Sequence, residues 1–151
     1  MGRLHGIGSS RTKRGGVKVD TILLDTDVTS YIIKDLPVAT HFRPIIFGNR
    51  IALSFMTLAE IHEGICRSNW GEFKKRKIID GLRQFVVLPF TSNVCEIWGL
   101  VRAERRQQPI SVGDAWIAAT AMAYKLPLLT NNEKHFQGIT GLNLLRVPLP
   151  K

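Results

Sequence analysis

The chain has 151 residues and a mass of 17.0 kDa, a size that fits one domain. With 44% hydrophobic and 22% charged residues, its composition is that of a globular protein and excludes an intrinsically disordered chain. The formal net charge of +9 indicates a polyanionic partner. Residues 1–18 hold five bases and no acid, so the rest of the chain is only mildly basic.

The first 18 residues differ from the rest in composition. They are rich in Gly, Ser, Arg and Lys and offer little apolar surface to bury, so we predict a flexible basic leader or non-native extension over residues 1–18. A single domain is expected over residues 19–151. The basic residues lack the apolar segment of a signal peptide, and the chain has no run of 18 apolar residues that could span a membrane. Cys66 and Cys95 lack metal-binding spacing and are predicted to be buried free thiols of a cytoplasmic protein.

Short apolar runs alternate along the chain with longer segments of helical character. In chain order, the predicted elements are strand 19–24, helix 26–34, strand 51–55, helices 58–67 and 72–85, strand 86–88, helices 93–106 and 114–125, and strands 126–129 and 142–147. The first strand ends in a short apolar run before Asp25, which is typical of a strand buried on both faces of a parallel sheet. The alternation predicts an α/β domain with a mainly parallel sheet and right-handed crossovers.

Two acids, Asp25 and Asp27, directly follow the first predicted strand. Ligands gather at the carboxyl ends of strands in open α/β sheets, and two acids at i and i+2 can point to the same side as the chain leaves the strand. Carboxylate oxygens suit Mg²⁺ or Mn²⁺. The alternative is that Thr26 or one of the acids caps the following helix, and the sequence favours that role for Asp27.

Two further acids lie at distant predicted helices. Thr57 and Glu60 match a capping box, which on the sequence alone favours a structural role for Glu60. Asp114 opens an alanine-rich helix, where the helix dipole favours an acid, but the apolar helix should be buried and makes Asp114 a candidate metal ligand. Residues 130–132 follow strand 126–129 and are either turn formers or polar groups that face the same cleft.

Taken in order, these segments resemble the successive motifs of the PIN-domain nucleases, and most closely the VapC-type toxin ribonucleases of bacterial toxin–antitoxin pairs. The matching motifs are Leu24-Asp25-Thr26-Asp27, Thr57-Leu58-Ala59-Glu60-Ile61 followed by Gly64, Gly113-Asp114 with Ile117-Ala118-Ala119, and Leu129-Thr130-Asn131-Asn132 with Phe136. The resemblance covers about residues 19–149. It implies a three-layer α/β/α sandwich and an endoribonuclease that depends on Mg²⁺ or Mn²⁺.

The resemblance also implies a role for each matching residue. Asp25 and Asp114 would be the principal metal ligands, and Glu60 would be the third acid, which binds metal or orients water. The secondary candidates at this site are Asp27, Thr130 and Asn132.

The fourth motif departs from the family pattern. Many relatives carry an acid at the positions of Asn132 and His135. The alternative function is therefore a catalytically weakened PIN domain that acts as an RNA- or protein-binding module. A haloacid-type hydrolase is disfavoured because Lys125, the nearest match to the lysine it needs, lies at a predicted helix end. A DNA flap nuclease is disfavoured because the short chain lacks added elements that grip branched DNA.

The implied partners are an RNA substrate, a cognate antitoxin that occludes the cleft, and a second copy of the chain, as a homodimer within a toxin–antitoxin hetero-oligomer. Acids alone would repel RNA, so basic residues are expected to flank them. Residues 74–77 are interpreted as a solvated helix face. The predicted substrate-binding residues are Arg102, Arg105 and Arg106.

Overall fold

The computed structural model describes residues 11–12 and 18–147. Its strands are β1 (Arg11–Thr12), β2 (Lys18–Val19), β3 (Thr21–Leu24), β4 (Arg50–Ser54), β5 (Val86–Leu88), β6 (Leu128–Leu129) and β7 (Leu144–Leu145). Its α-helices are α1 (Thr26–Ile33), α2 (Arg43–Ile46), α3 (Phe55–Arg67), α4 (Glu72–Leu82), α5 (Ser92–Glu104), α6 (Val112–Ala123) and α7 (Glu133–Phe136), and a 3₁₀ helix covers Pro37–His41. β1 and β2 pair in antiparallel fashion, while the remainder of the predicted leader lies outside the described residues.

Five strands form one parallel sheet in the order β5-β4-β3-β6-β7, so the predicted mainly parallel α/β architecture is confirmed. β3 lies at the centre, where Leu24 is in register with Leu53 of β4 and with Leu129 of β6. Because β3 is covered on both faces, all four of its residues are buried, and three of the four are Ile or Leu. The carboxyl ends of β3, β4 and β6 therefore meet at one edge of the sheet.

The side chains of β3 alternate between two hydrophobic clusters, one on each face of the sheet. Leu23 packs with residues of α5 and α6, whereas Ile22 and Leu24 pack with residues of α1, α3 and α4. Helices thus cover both faces, and the arrangement is the predicted three-layer sandwich.

The structure decides between the alternative caps of α1 and replaces the predicted cap of α3. Asp25, and neither Thr26 nor Asp27, caps α1, since its side chain accepts a hydrogen bond from the Val28 N–H. α3 begins three residues earlier than predicted because Ser54, the last residue of β4, caps it through the Met56 N–H. The prediction of a capping box at Thr57 and Glu60 is therefore wrong, since both residues lie inside the helix.

The cysteine prediction was also wrong. Both thiols are free, but Cys66 and Cys95 are exposed. Each follows a buried residue, Ile65 on α3 and Val94 on α5, and the next position on a helix turns away from the core. Within residues 11–12 and 18–147, the helices are all too short or too polar to cross a membrane.

Candidate active site

One cavity of about 240 Å³ opens at the sheet edge where β3 and β6 end. The residues that line it come from four distant parts of the chain, because parallel strands and the helices that follow them bring their ends together there. The lining residues are Asp25, Thr26, Asp27, Glu60, Ser111, Asp114, Asn132, His135 and Phe136.

Asp25 is the most enclosed of these acids, with only 4% of its surface exposed. One carboxylate oxygen accepts a hydrogen bond from the Val28 N–H at 2.9 Å, and the other accepts from the Thr130 hydroxyl. Burial raises the pKa of Asp25 to about 6, although these two hydrogen bonds favour the charged form, and the charges of Asp27 and Asp114 raise it further. Asp25 is therefore both a helix cap and a member of the site.

Glu60 faces the same cavity from the second turn of α3. Its Oε1 atom lies 3.0 Å from the Thr26 hydroxyl, which also lies 3.1 Å from Thr57 Oγ1. Burial raises the pKa of Glu60, and the nearby charge of Asp114 acts in the same direction. A Cβ atom on Gly113 would stand 3.3 Å from Glu60 Oε1, so the absence of a side chain there lets α6 approach this carboxylate.

Asp114 lies in the first turn of α6, where its N–H donates to the hydroxyl of the capping residue Ser111 at 3.1 Å. Its Oδ2 atom lies 3.1 Å from Nδ1 of His135. The sequence identified His135 only as a departure from the family pattern, and its contact with Asp114 had no local signal. The structure therefore adds an imidazole to the predicted site.

The segment after β6 contributes polar groups through a chain of hydrogen bonds. The Thr130 hydroxyl accepts from the Asn132 N–H at 2.9 Å, and the Asn132 side-chain amide donates to Asp27 Oδ2 at 3.3 Å. Thr130 thus supports Asp25, and Asn132 orients Asp27. The structure brings all six predicted site residues to one end of the sheet.

The chemistry of this lining suits a divalent cation. Four carboxylates and one side-chain amide line the cavity, and neither Lys nor Arg is found among the described residues that do so. Hard cations such as Mg²⁺ and Mn²⁺ prefer such oxygen ligands, and a bound cation would offset the repulsion between these carboxylates, which adds to the effect of burial on the pKa of Asp25 and of Glu60. In the described part of the chain, no three acidic, His or Cys side chains are already arranged around a common point as in a preformed metal site.

The three predicted substrate-binding arginines have different surroundings. Arg102 donates to the Ile110 carbonyl at 2.7 Å, lies 5.6 Å from the Trp98 ring centroid and does not line the acidic cavity. Arg106 is exposed. Arg105 donates through Nε and Nη1 to three carbonyl oxygens, those of Gln108, His135 and Gln137.

Arg105 should contribute measurably to stability because it ties α5 to the segment that carries His135. We expect Arg105→Lys to lower the free energy of unfolding by about 1–2 kcal/mol, since a single ammonium cannot reproduce the planar guanidinium that reaches all three carbonyls. Urea denaturation checks this value. Arg106→Lys, at an exposed neighbour, is the matched control and should change stability by less than about 0.5 kcal/mol.

Comparisons with known proteins agree with this geometry. A family model for the PIN domain matches residues 22–141. The chain is 32% identical over 124 residues to Ribonuclease VapC1 of Haemophilus influenzae (strain R2866), a match that covers 80% of this chain and 92% of that protein. It is 28% identical over 123 residues to the tRNA(fMet)-specific endonuclease VapC of Shigella flexneri, with 80% and 92% covered.

The fold comparison points to the same group of proteins. VapBC2 from Rickettsia felis, solved bound to a DNA fragment from its promoter, superposes with a TM-score of 0.73 at 29% identity, and the match covers 83% of this chain and 97% of that one. The motifs that carry the acids of the cavity lie within the matched residues 22–141. The chain therefore belongs to the PIN domain family and, within it, to the VapC ribonucleases.

Proposed function

We propose that this VapC-family ribonuclease is the toxin of a toxin–antitoxin pair and that it hydrolyses RNA phosphodiesters with the help of Mg²⁺ or Mn²⁺. The observation that carries the proposal is the cavity in which Asp25, Asp27, Glu60 and Asp114 meet, with the pKa of Asp25 and of Glu60 raised. Asp25 and Asp114 would hold the cation, together with Glu60.

The proposed chemistry follows from charge. A divalent ion bound here would offset the negative charge of the phosphodiester and lower the pKa of a water molecule. Glu60 can orient that water and accept its proton, because its carboxylate faces the cavity. Thr130 keeps Asp25 oriented, and His135 does the same for Asp114. Attack by water, rather than by the ribose 2′-hydroxyl, would leave a 3′-hydroxyl and a 5′-phosphate.

The comparisons support a protein partner as well as an RNA substrate. The Rickettsia felis structure is a VapBC complex, and the name of the Shigella flexneri relative specifies a tRNA as its substrate. We propose for this chain a cognate antitoxin that covers the acidic cavity, and a homodimer within a toxin–antitoxin hetero-oligomer. The substrate class is RNA.

The test is an assay of the purified protein on total cellular RNA with Mg²⁺, Mn²⁺ or EDTA. We expect cleavage with either cation, none with EDTA, and a loss of about 10³-fold or more in Asp114→Asn, since a neutral amide is a poor substitute for a ligand carboxylate. Circular dichroism would confirm that the variant is folded.

Two outcomes would count against this function. Undiminished cleavage by Asp114→Asn would remove the metal site as its source. RNA binding without cation-dependent cleavage would instead favour the binding module, to which Asn132 and His135 point because they stand where many relatives carry an acid.

A further inference from the structure

A second cavity, of about 340 Å³, adjoins the acidic one. The two share a wall made by Ser111, Asp114 and His135. The other residues that line the second cavity are Arg105, Pro109, Ile110 and Lys134. A molecule bound over the carboxylates of the acidic cavity could therefore extend along the protein surface into the second cavity.

The charge of the second cavity is opposite to that of the first. Arg105 and Lys134 bring two basic side chains against one carboxylate, that of Asp114, which already contacts His135. A site with this balance attracts anions, whereas the neighbouring site attracts cations.

The polar side chains of the second cavity have hydrogen-bond donors that could bind a ligand. Arg105 is held in place by Nε and Nη1, and its Nη2 atom has no hydrogen-bond partner within the part of the chain that the structure describes. The exposed Lys134 forms no ion pair with any described residue. Ser111 accepts a hydrogen bond from the Asp114 N–H, which leaves its hydroxyl hydrogen available.

We infer that this second cavity binds the RNA phosphate next to the one that is cleaved. The inference rests on the proposed function, because it requires an RNA strand over the acidic cavity. A guanidinium fixed by its own carbonyl contacts and a lysine ammonium are the groups that bind phosphate oxygens. The shared wall at Asp114 keeps the two cavities adjacent, so consecutive phosphates of one strand can occupy them. An acidic protein segment would meet the same charges, but only a nucleic acid strand explains why the basic cavity abuts a cation site.

The experiment measures binding separately from cleavage. A fluorescently labelled poly(U) oligonucleotide is titrated with the full-length protein in EDTA over a range of salt concentrations, and a gel confirms that the RNA stays intact. We expect Lys134→Gln to weaken binding several-fold at low salt and to reduce the slope of log K against log salt by about 0.7, the value for one contact to single-stranded nucleic acid.

Lys77→Gln is the matched control, because Lys77 is an exposed lysine of α4 and lines neither cavity. An equal loss in Lys77→Gln would show diffuse attraction to a basic surface and overturn the inference, as would an unchanged slope in Lys134→Gln. Competition by poly-glutamate as strong as by unlabelled poly(U) would also overturn it and assign the cavity to a protein partner. Failure of the proposed function would be recognised in the cleavage assay, which this binding measurement does not use.

Discussion

Replacing Asp25 with Asn is expected to reduce Mg²⁺-dependent RNA cleavage by about 10³-fold or more while the chain still folds. The amide oxygen of Asn can still accept the hydrogen bond from the Val28 N–H that caps α1, and its nitrogen can donate to Thr130. What the variant lacks is the charge that would hold a cation. The measurement is the rate of cleavage under single-turnover conditions, with circular dichroism as the test of folding.

Asp80→Asn is the matched control because it makes the same chemical change at an exposed position. Asp80 lies on α4, forms an ion pair with Arg83 at 3.5 Å and does not line the acidic cavity. This variant should cleave RNA at the wild-type rate. A rate for Asp25→Asn within tenfold of wild type would show that Asp25 is not a principal ligand.

The parallel sheet could be predicted because strands that are buried on both faces are rich in consecutive apolar residues. β3 and β4 each contain a run of three apolar residues, at 22–24 and 51–53, and helical segments lie between the strands. α2 and the 3₁₀ helix at Pro37–His41 were missed, since they are short turns of chain with little periodicity. Their form depends on packing of residues such as Phe42 against the rest of the core.

The caps could not be predicted because neighbouring residues have similar local preferences. Asp25, Thr26 and Asp27 can all cap a helix, and the choice depends on where β3 ends against β6. The cap and the functional role were treated as alternatives for Asp25, yet only one carboxylate oxygen accepts the capping N–H of Val28, while the other accepts from Thr130 at the site. A cap and a place in the site are therefore compatible roles for Asp25, which only the positions of its hydrogen-bond partners reveal.

At the site, too, the sequence predicts which residues lie at the ends of elements but not which distant residues contact each other. The ordered motifs placed Asp25, Glu60 and Asp114 at ends of elements, and the structure brings them to one cavity, while their roles as ligands stay a prediction. His135 is 21 residues from Asp114, and only the return of the chain through β6 brings the two together. No spacing rule within a helix or strand could have paired them.

The buried carboxyl of Asp25 should also make the cation-free protein less stable as the pH rises. Its pKa is about 6 in the folded protein against an ordinary value of 3.8, so between these pH values the folded state binds a proton that the unfolded chain has lost. Stability therefore falls as the pH rises through this window. The loss due to Asp25 approaches about 3 kcal/mol above pH 7, since each unit of pKa difference corresponds to about 1.4 kcal/mol. Urea denaturation in EDTA from pH 4 to pH 8 measures it.

Asp25→Asn isolates this contribution, because Glu60 also has a raised pKa and acts in the same direction in both proteins. The variant should match the wild type in stability near pH 4 and exceed it by about 3 kcal/mol at pH 7 or above. A constant difference at every pH would instead reflect altered hydrogen bonds to Val28 and Thr130, and would contradict the prediction. Adding Mg²⁺ at neutral pH should stabilise the wild type and narrow the gap, because a ligand that binds only the folded state raises its stability. The carboxylate that the reaction needs would thus be a source of instability that its cation relieves.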